Sequence, residues 1–352
     1  MKDKLLISSY NVFTNLAHKP HGKENLIPLK FITDDISKCI SVKDCYNPAF
    51  MLKHPDKNII YICCESIFEG NIFTIAYNDE FEFTLLNNVK TGLSTCYIEI
   101  DFERNNLLVV NYWDSTINIH PLINDIAQES IYTVESNYVY NNRPNHLKNR
   151  QKESHNHSLL LYKYNESNIA FVPDLGKDQI KIFDYFNNSL KLITYHKLKK
   201  GSGPRYIRNI NEFLYVVNEL NSTVEVLQIK TGCYGIYLLN IQTISTLPNN
   251  YNDYNTCGNI EIHPSNKYIV CSNRGHNSVA IYEILDNYIL KLCSIYECFG
   301  KTPRHFSFNK DGSVLYIANQ DSDNISIFYF NNGKIIFNSM IDVNSPNYIL
   351  QL

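Results

Sequence analysis

Six ionisable side chains in this sequence have the chemistry of a binding and catalytic site for an anion. They lie at the beginning or directly after the end of apolar, strand-like segments, and they are Glu65, His157, Arg205, Glu219, Arg274 and Arg304. Arginine offers a planar fork of donors that matches a carboxylate or phosphate in bidentate fashion. Histidine changes its charge near neutral pH and is the commonest general base. Together they predict a site for a small anionic molecule with a reactive carbonyl or double bond.

The segments that carry these residues belong to a repeated pattern. In five places an apolar strand ends in Asn or Asp, and an aliphatic residue six positions later opens a second strand. The pairs are Asn111 and Ile117, Asp174 and Ile180, Asn218 and Val224, Asn273 and Val279, and Asn319 and Ile325. The Asn and Asp residues are interpreted as turn residues that bond their own backbone. The repeat length is close to the ~40 to 45 residues of a four-stranded propeller blade.

Strand order within the repeat predicts which residues meet. The first strand of each blade would line a central channel, and the second would run antiparallel to it. The first strands start with Phe50, Cys96, His157, Arg205, Asn259, Arg304 and Asn347. The second strands are followed by Tyr10, Glu65, Tyr112, Leu175, Glu219, Arg274 and Gln320. Both sets are therefore expected at one mouth of the channel.

The repeats predict an all-β fold, a seven-bladed β-propeller with four-stranded antiparallel blades. PNYILQL at the C-terminus reads as a first strand without a second, and LLISSY at residues 5–10 as a second strand without a first. A blade shared between the N- and C-termini would close the ring and leave no open sheet edge. Residues 1–352 are read as a single domain, with insertions at about 121–155 and 231–256.

Bulk composition narrows the class of protein and its partners. Hydrophobic residues make up 44% of the chain, enough for a large core, and the formal net charge of −3 predicts no binding to nucleic acid or to a membrane surface. The N-terminus has too short an apolar stretch for a signal peptide, and the ten Cys include no CxxC pair. We therefore expect a cytoplasmic protein with reduced thiols that is a monomer or a weak homo-oligomer.

Other interpretations of the same residues remain open. Arg205 and Arg304 would plug the channel without binding an anion if they pair with Glu219 and Glu65. His157 would be a packed or solvent-facing histidine if its place in the ring did not favour a general base. His155 and His157 form an HxH pair compatible with metal binding, but no third ligand is clearly placed, so we expect neither metal nor cofactor.

Several motifs resemble the seven-bladed lactonase family, which includes propeller-type 6-phosphogluconolactonases and carboxy-cis,cis-muconate cyclase. They are HNHS followed by VPDLGKD, GSGPRY followed by YVVNEL, CSNRGHNSVAIY, and GKTPRHFSF followed by ANQDSDN. The resemblance extends from about residue 48 to the C-terminus and implies an active site at His157, Arg205, Glu219 and Arg274, the four that the ring argument also contains. Trp113 and Tyr206 depart from the family pattern, where Gly and His are usual.

These observations predict hydrolysis of a sugar lactone, 6-phosphoglucono-1,5-lactone, in the pentose phosphate pathway. His157, tuned by Glu219, would act as the base, Arg205 would stabilise the oxyanion, and Arg274 with Arg304 would hold the phosphate. The expected substrate-binding residues are Arg304, Gln320, Glu65, Tyr112, Asn259 and His155. Two alternatives use the same fold: a cyclase that lactonises a carboxylated muconate, and a noncatalytic propeller that binds proteins.

Overall fold

The computed structural model describes residues 3–12, 27–66, 68–134, 150–164, 167–233 and 235–352, which form strands and two short 3₁₀ helices, Leu175–Lys177 and Gln320–Ser322. In chain order the strands are β1 (Leu5–Ser9), β2 (Leu29–Ile32), β3 (Ser37–Ile40), β4 (Pro48–Lys53), β5 (Ile59–Cys64), β6 (Gly70–Tyr77), β7 (Phe83–Thr91), β8 (Thr95–Ile100), β9 (Asn106–Asn111), β10 (Ile117–Ile123), β11 (Ile126–Ala127), β12 (Tyr132–Val134), β13 (Leu160–Tyr164), β14 (Ser167–Asp174), β15 (Gln179–Phe186), β16 (Ser189–Lys197), β17 (Pro204–Ile210), β18 (Phe213–Asn218), β19 (Thr223–Gly232), β20 (Gly235–Ser245), β21 (Thr256–Ile262), β22 (Tyr268–Arg274), β23 (Ser278–Ile284), β24 (Leu290–Glu297), β25 (Pro303–Phe308), β26 (Val314–Asn319), β27 (Asn324–Asn331), β28 (Lys334–Asp342) and β29 (Pro346–Gln351).

These strands form seven antiparallel sheets, the blades of a propeller. Blade 1 has the order β29–β1–β2–β3, and blades 2 to 7 take β4–β7, β8–β12, β13–β16, β17–β20, β21–β24 and β25–β28. In blade 3 the fourth position is shared, because β10 pairs with both β11 and β12. The seven-bladed ring expected from the repeats is confirmed.

The ring closes between the two ends of the chain. β1 pairs with β29 in antiparallel register, from Leu5 opposite Gln351 to Ser8 opposite Tyr348. β29 also packs against β25 and β4, the innermost strands of blades 7 and 2. The expectation of a blade built from both termini is therefore confirmed.

The second strand of each blade is the most deeply buried because neighbouring blades cover both of its faces. Every residue of β9 and of β18 is buried, and Tyr61 of β5 and Tyr215 of β18 have no exposed surface. Burial falls toward the outside, where most residues of β16 and β20 are exposed. A membrane-spanning helix is absent from the described segments.

The two expected insertions contain parts of the blades. Residues 121–155 include the end of β10 together with β11 and β12, while positions 135–149 lie outside the described residues. Residues 231–256 include the end of β19 and all of β20, so most of this stretch is the outer hairpin of blade 5 and only 246–255 connect it to blade 6. The hydrophobic pattern missed β20 because an outermost strand buries few of its side chains.

The repeated Asn and Asp residues end the second strands and are fully buried. The Nδ2 groups of Asn111, Asn218 and Asn273 donate to the hydroxyls of Thr116, Thr223 and Ser278. Asp174 instead accepts from the backbone N–H of Lys177. The interpretation as residues bonded to their own backbone holds for Asp174, whereas these three asparagines tie the turn to a side chain five residues ahead.

Replacing Asn273 by Ala is expected to lower the free energy of unfolding by about 3 kcal/mol. Its amide accepts from Thr246 Oγ1 at 2.7 Å and Asn255 Nδ2 at 3.2 Å, and it donates to the Thr246 carbonyl at 2.8 Å and Ser278 Oγ at 3.1 Å. Urea unfolding followed by circular dichroism measures the loss. Asn338→Ala, on exposed β28, is the control, and a loss below about 0.5 kcal/mol at Asn273 would contradict the assigned role.

Candidate active site at the channel mouth

A β-bulge at the start of the innermost strand places the polar side chains of the site. In blade 5, Pro204 pairs with Asn218 and Tyr206 with Val217, so Arg205 is an extra residue without a partner. Successive residues of a regular strand face opposite sides, but an extra residue breaks that alternation. Arg205 and Tyr206 therefore both line the channel.

The same irregularity recurs around the ring. The register shifts between Thr95 and Tyr97 in blade 3 and between Pro303 and His305 in blade 7, which leaves Cys96 and Arg304 as the extra residues. His157 precedes β13 but takes the equivalent path, because its backbone N–H donates to the Pro173 carbonyl at 3.0 Å.

Two members of the expected ring are displaced by one residue. In blade 2 the register shifts between Pro48 and Phe50, so the equivalent of Arg205 is Ala49. In blade 6 it shifts between Cys257 and Ile260, and the equivalent is Gly258. The placement of Phe50 and Asn259 in this ring was wrong because hydrophobic alternation cannot show where the extra residue falls.

The bulges surround a small, partly open cavity whose enclosed space is about 10 Å³; the volume reaches about 270 Å³ only when the open solvent at its mouth is included. Its walls are Ala49, Glu65, Cys96, His157, Arg205, Tyr206, Arg304, His305, Asn347 and Tyr348. Aromatic contacts form the inner wall, where His305 stacks on Tyr348 with ring centroids 3.8 Å apart. Its polar lining suits a ligand that forms hydrogen bonds.

Glu219 is the charge centre beside the cavity. Its fully buried carboxylate accepts from Arg205 Nη1 through Oε2 at 2.6 Å, and Arg274 Nη2 lies 3.1 Å from Oε1. A third guanidinium, that of Arg150, also donates to Oε1. Burial favours the neutral acid, but Arg150, Arg274 and Arg205 outweigh it and hold the pKa of Glu219 well below its usual value. The carboxylate is therefore ionised at neutral pH.

The backbone fixes two of these guanidiniums. Arg205 Nε donates to the Gly258 carbonyl at 2.6 Å, and Arg274 Nη2 donates to the Cys257 carbonyl at 2.7 Å. A Cβ atom at position 258 would lie 2.6 Å from the Ser272 hydroxyl oxygen, so the close approach requires glycine.

His157 is neutral and its tautomer is set by Arg205. Arg205 Nη1 donates to His157 Nε2 at 2.5 Å, and because a guanidinium only donates, Nε2 must accept and Nδ1 must carry the proton. Burial and then the charge of Arg205 hold the pKa of His157 well below its usual value. Glu219 Oε2 is 3.9 Å from Nε2 and would stabilise an imidazolium if one formed.

Glu65 and Arg304 form a second charged pair on the cavity wall. Arg304 Nη2 is 3.5 Å from Glu65 Oε1, and the Tyr10 hydroxyl donates to Oε2 at 2.7 Å. The Arg304 guanidinium also stacks over the Tyr10 ring, 4.9 Å from its centroid. Both expected arginine–glutamate pairings thus exist.

The arginine–glutamate pairs leave an excess of positive charge and several buried N–H groups without a hydrogen-bond acceptor. Within the described part of the chain, Arg150, Arg205, Arg274 and Arg304 pair with two carboxylates, those of Glu65 and Glu219. Among the described residues His157 Nδ1, Arg274 Nε and Arg304 Nη1 are buried without a hydrogen-bond partner. Buried donors are normally satisfied, so three orphans beside one cavity indicate an anionic or oxygen-rich ligand.

His155 and Tyr112 support the site from one side. Their rings stack with centroids 4.5 Å apart, and His155 Nδ1 donates to the Tyr112 carbonyl at 3.0 Å. The Tyr112 hydroxyl accepts from Arg150 Nη2 at 2.9 Å, and its ring meets His157 edge-on at 5.2 Å. His155 does not line the cavity, and no group of three His, Cys, Asp or Glu side chains in the described chain is arranged to hold a metal ion.

The remaining expected substrate-binding residues lie outside the cavity wall. Asn259 Nδ2 donates to the Phe306 carbonyl at 3.3 Å, and Gln320 Nε2 donates to Asp321 Oδ1 at 3.1 Å. Among the expected residues, Glu65, His157, Arg205 and Arg304 meet at the cavity, while Glu219 and Arg274 adjoin it.

Sequence reasoning missed Arg150 and the aromatic wall. Arg150 lies in the stretch interpreted as an insertion, where no repeat marks it. Tyr206, His305 and Tyr348 each directly follow an expected ring residue, but regular strand alternation would turn them away from the channel, and only the bulges bring them to the wall.

Comparison with known proteins agrees with the seven-bladed fold. The profile of the family described as "Lactonase, 7-bladed beta-propeller" matches residues 5–350. An uncharacterized protein of Lactococcus lactis subsp. cremoris is 30% identical over 335 residues, which cover 93% of this chain and 92% of that protein.

Two further relatives carry functional names. The 6-phosphogluconolactonase of Bacillus subtilis is 24% identical over 288 residues, 80% of each chain. The solved structure of a periplasmic gluconolactonase from Pseudomonas aeruginosa superposes with a TM-score of 0.83 at 19% identity and covers 99% of both chains. At that identity the structural likeness establishes the fold alone.

Replacing Glu219 by Gln should destabilise the protein by about 3 kcal/mol at neutral pH, because it leaves buried guanidiniums without a counter-charge. The depressed pKa gives the sign of the pH dependence: the stabilisation is complete above the usual carboxyl pKa of 4.5 and is lost progressively at lower pH. The difference in unfolding free energy between wild type and variant, measured by urea titration from neutral pH to about pH 3, should therefore shrink below pH 4.5.

Glu283→Gln is the matched control, since Glu283 is 44% exposed and lies 3.9 Å from Lys291. It should change stability by less than about 0.5 kcal/mol. A Glu219 effect of similar size would show that the guanidiniums do not depend on this carboxylate.

Proposed function

The chain belongs to the seven-bladed β-propeller lactonase family, and we propose that it hydrolyses the phosphorylated sugar lactone 6-phosphoglucono-1,5-lactone to 6-phosphogluconate. That reaction is a step of the pentose phosphate pathway. The observation that carries the proposal is the small cavity whose surroundings hold four arginines, two glutamates and three orphan donors. The name of the Bacillus subtilis relative supports the choice of lactone.

The cavity-lining arginines would bind the reacting group. Arg304 Nη1 is a buried donor without a partner, and Arg205 already has one Nη atom at the imidazole. When water attacks the lactone carbonyl, the oxygen becomes an oxyanion, and fixed guanidinium donors stabilise it more than they stabilise the neutral carbonyl. Arg274 contacts Glu219 and the backbone, so its proposed role is to position Glu219.

His157 would accept the proton of the attacking water. In the ligand-free protein its Nε2 lone pair accepts from Arg205 Nη1, so it becomes a base when that Nη1 shifts to the developing oxyanion while Arg205 Nε keeps its bond to the Gly258 carbonyl. The imidazolium would then be stabilised by Glu219. Collapse of the tetrahedral intermediate breaks the bond between the carbonyl carbon and the ring oxygen, which takes the proton back from His157 as the acid is released.

The test is hydrolysis of freshly generated 6-phosphogluconolactone with the spontaneous rate subtracted. Wild type should be active, and His157→Ala and Arg205→Met should each lower kcat/KM by at least about 100-fold. His196→Ala on the outer strand β16 and Arg104→Met on the surface are matched controls that should retain activity. Wild-type activity no higher than background would reject this substrate, and carboxylated muconates would be assayed next.

The pH profile tests His157 as the base. Its pKa lies below the usual 6.5, so the neutral imidazole persists as the pH falls, and kcat/KM should stay level from about pH 8 down to 6.5 before it declines. Initial rates in buffers of constant ionic strength give the profile. An acidic limb centred at or above pH 6.5 would assign the essential base to another group.

A further inference from the structure

Arg150 differs from the other site arginines in how it is held. Its side chain is 19% exposed, whereas those of Arg205, Arg274 and Arg304 are 3%, 3% and 6% exposed. Arg205 and Arg274 are each tied to a backbone carbonyl. Among the described residues, the Arg150 guanidinium bonds only to the side chains of Glu219 and Tyr112.

The chain immediately after Arg150 is anchored firmly. Gln151 Nε2 donates to the Leu175 carbonyl at 3.0 Å and to Asp178 Oδ1 at 2.7 Å, and the backbone N–H of His155 donates to Asp174 Oδ1 at 2.8 Å. The Cα of Arg150 is thus fixed beside blade 4, while its guanidinium is held, among the described residues, by side chains alone.

Glu219 does not need all three guanidiniums. One carboxylate carries a single negative charge, and Arg205 and Arg274 remain on it if Arg150 leaves. Exchange of Glu219 for a ligand anion would therefore leave no carboxylate unpaired. The same exchange by Arg205 or Arg274 would also break a buried bond to the backbone, which makes Arg150 the guanidinium most easily redirected.

Position and solvation favour a phosphate monoester as the new partner. The cavity is small, and Arg150 lies one side chain behind its wall: Glu219, its first partner, also binds Arg205, and Tyr112, its second, contacts His157, and both Arg205 and His157 line the cavity. A lactone that places its carbonyl at the cavity would keep its ring and exocyclic substituent toward the mouth, where a strongly hydrated dianion retains contact with water. Arginine binds phosphate with two parallel hydrogen bonds.

We propose that Arg150 binds the phosphate group of the substrate by exchanging Glu219 for it, and that this residue sets the preference for a phosphorylated over an unphosphorylated lactone. The inference rests on the proposed lactonase function and replaces the earlier expectation that Arg274 and Arg304 hold the phosphate. The side chains of those two arginines are less exposed, 3% and 6% against 19% for Arg150, and they already pair with Glu219 and Glu65.

The kinetic test compares 6-phosphogluconolactone with glucono-1,5-lactone in wild type, Arg150→Met and Arg150→Lys. Arg150→Met should lower kcat/KM for the phosphorylated lactone by about 10- to 100-fold, mainly through KM, and change that for the uncharged lactone by less than about threefold. Arg150→Lys keeps the positive charge but loses the planar pair of donors. Its kcat/KM for the phosphorylated lactone should therefore lie between the values for wild type and Arg150→Met. Lys152→Met, an exposed position two residues along, is the control and should match wild type.

A binding measurement separates this proposal from the proposed reaction. Trp113 is the sole tryptophan, and its ring lies 5.2 Å from that of Tyr112, so its fluorescence should report when Arg150 leaves the Tyr112 hydroxyl. Titration with 6-phosphogluconate and with gluconate gives two dissociation constants. Arg150→Met should raise the dissociation constant for 6-phosphogluconate about 10- to 100-fold and that for gluconate less than about threefold.

The possible results are distinct. If wild type hydrolyses neither lactone but Arg150→Met selectively weakens 6-phosphogluconate binding, the reaction is wrong and the phosphate site stands. Equal losses for both lactones or both acids would overturn the proposal, because a residue that only supports the site affects both alike. A wild type that binds neither acid also overturns it.

Discussion

Pairing of β1 with β29 closes the ring, and the cavity exists only because that closure holds. Asn347 and Tyr348 of β29 form part of its wall between blade 7, which supplies Arg304, and blade 2, which supplies Ala49. Side chains reinforce the seam: Ser8 donates to Asn347, which donates to the Pro48 carbonyl. An open array of the same blades would lack this wall and would expose two strand edges. The cavity wall therefore forms only when the ring is closed.

The cluster at Glu219 is better understood as a functional device than as a source of stability. Burying charges costs free energy that an ion pair recovers only in part, and three guanidiniums on one carboxylate exceed what pairing requires. Burial, helped by the nearby arginines and opposed by Glu219, lowers the pKa of Arg274 to about 10. Such an excess of positive charge is unfavourable until an anion arrives, so the ligand-free site is prepared to bind one.

The bulges solve a geometric problem that regular strands would leave. A regular first strand directs only alternate residues at the channel, whereas the extra residue lets Arg205 and Tyr206, Arg304 and His305, and Asn347 and Tyr348 all reach the wall. The polar member contributes charge or hydrogen bonds, and the next residue provides an aromatic wall that excludes water. Guanidiniums in such surroundings interact more strongly with a developing oxyanion than they would in water.

The amino-acid sequence alone determined the architecture and most of the site. Repeated strand pairs specified seven blades and their closure, and equivalence among blades brought His157, Arg205, Glu219 and Arg304 together, because a closed ring places equivalent positions at one radius and height. What only the tertiary structure decided was local. The register of the bulges moved two ring positions to Ala49 and Gly258, since one extra residue leaves no trace in hydrophobic alternation. The proton on His157 Nδ1 depends on the contact of His157 with Arg205, 48 residues away in sequence. Arg150 and Glu219 are 69 residues apart in sequence. Packing in three dimensions brings both pairs together.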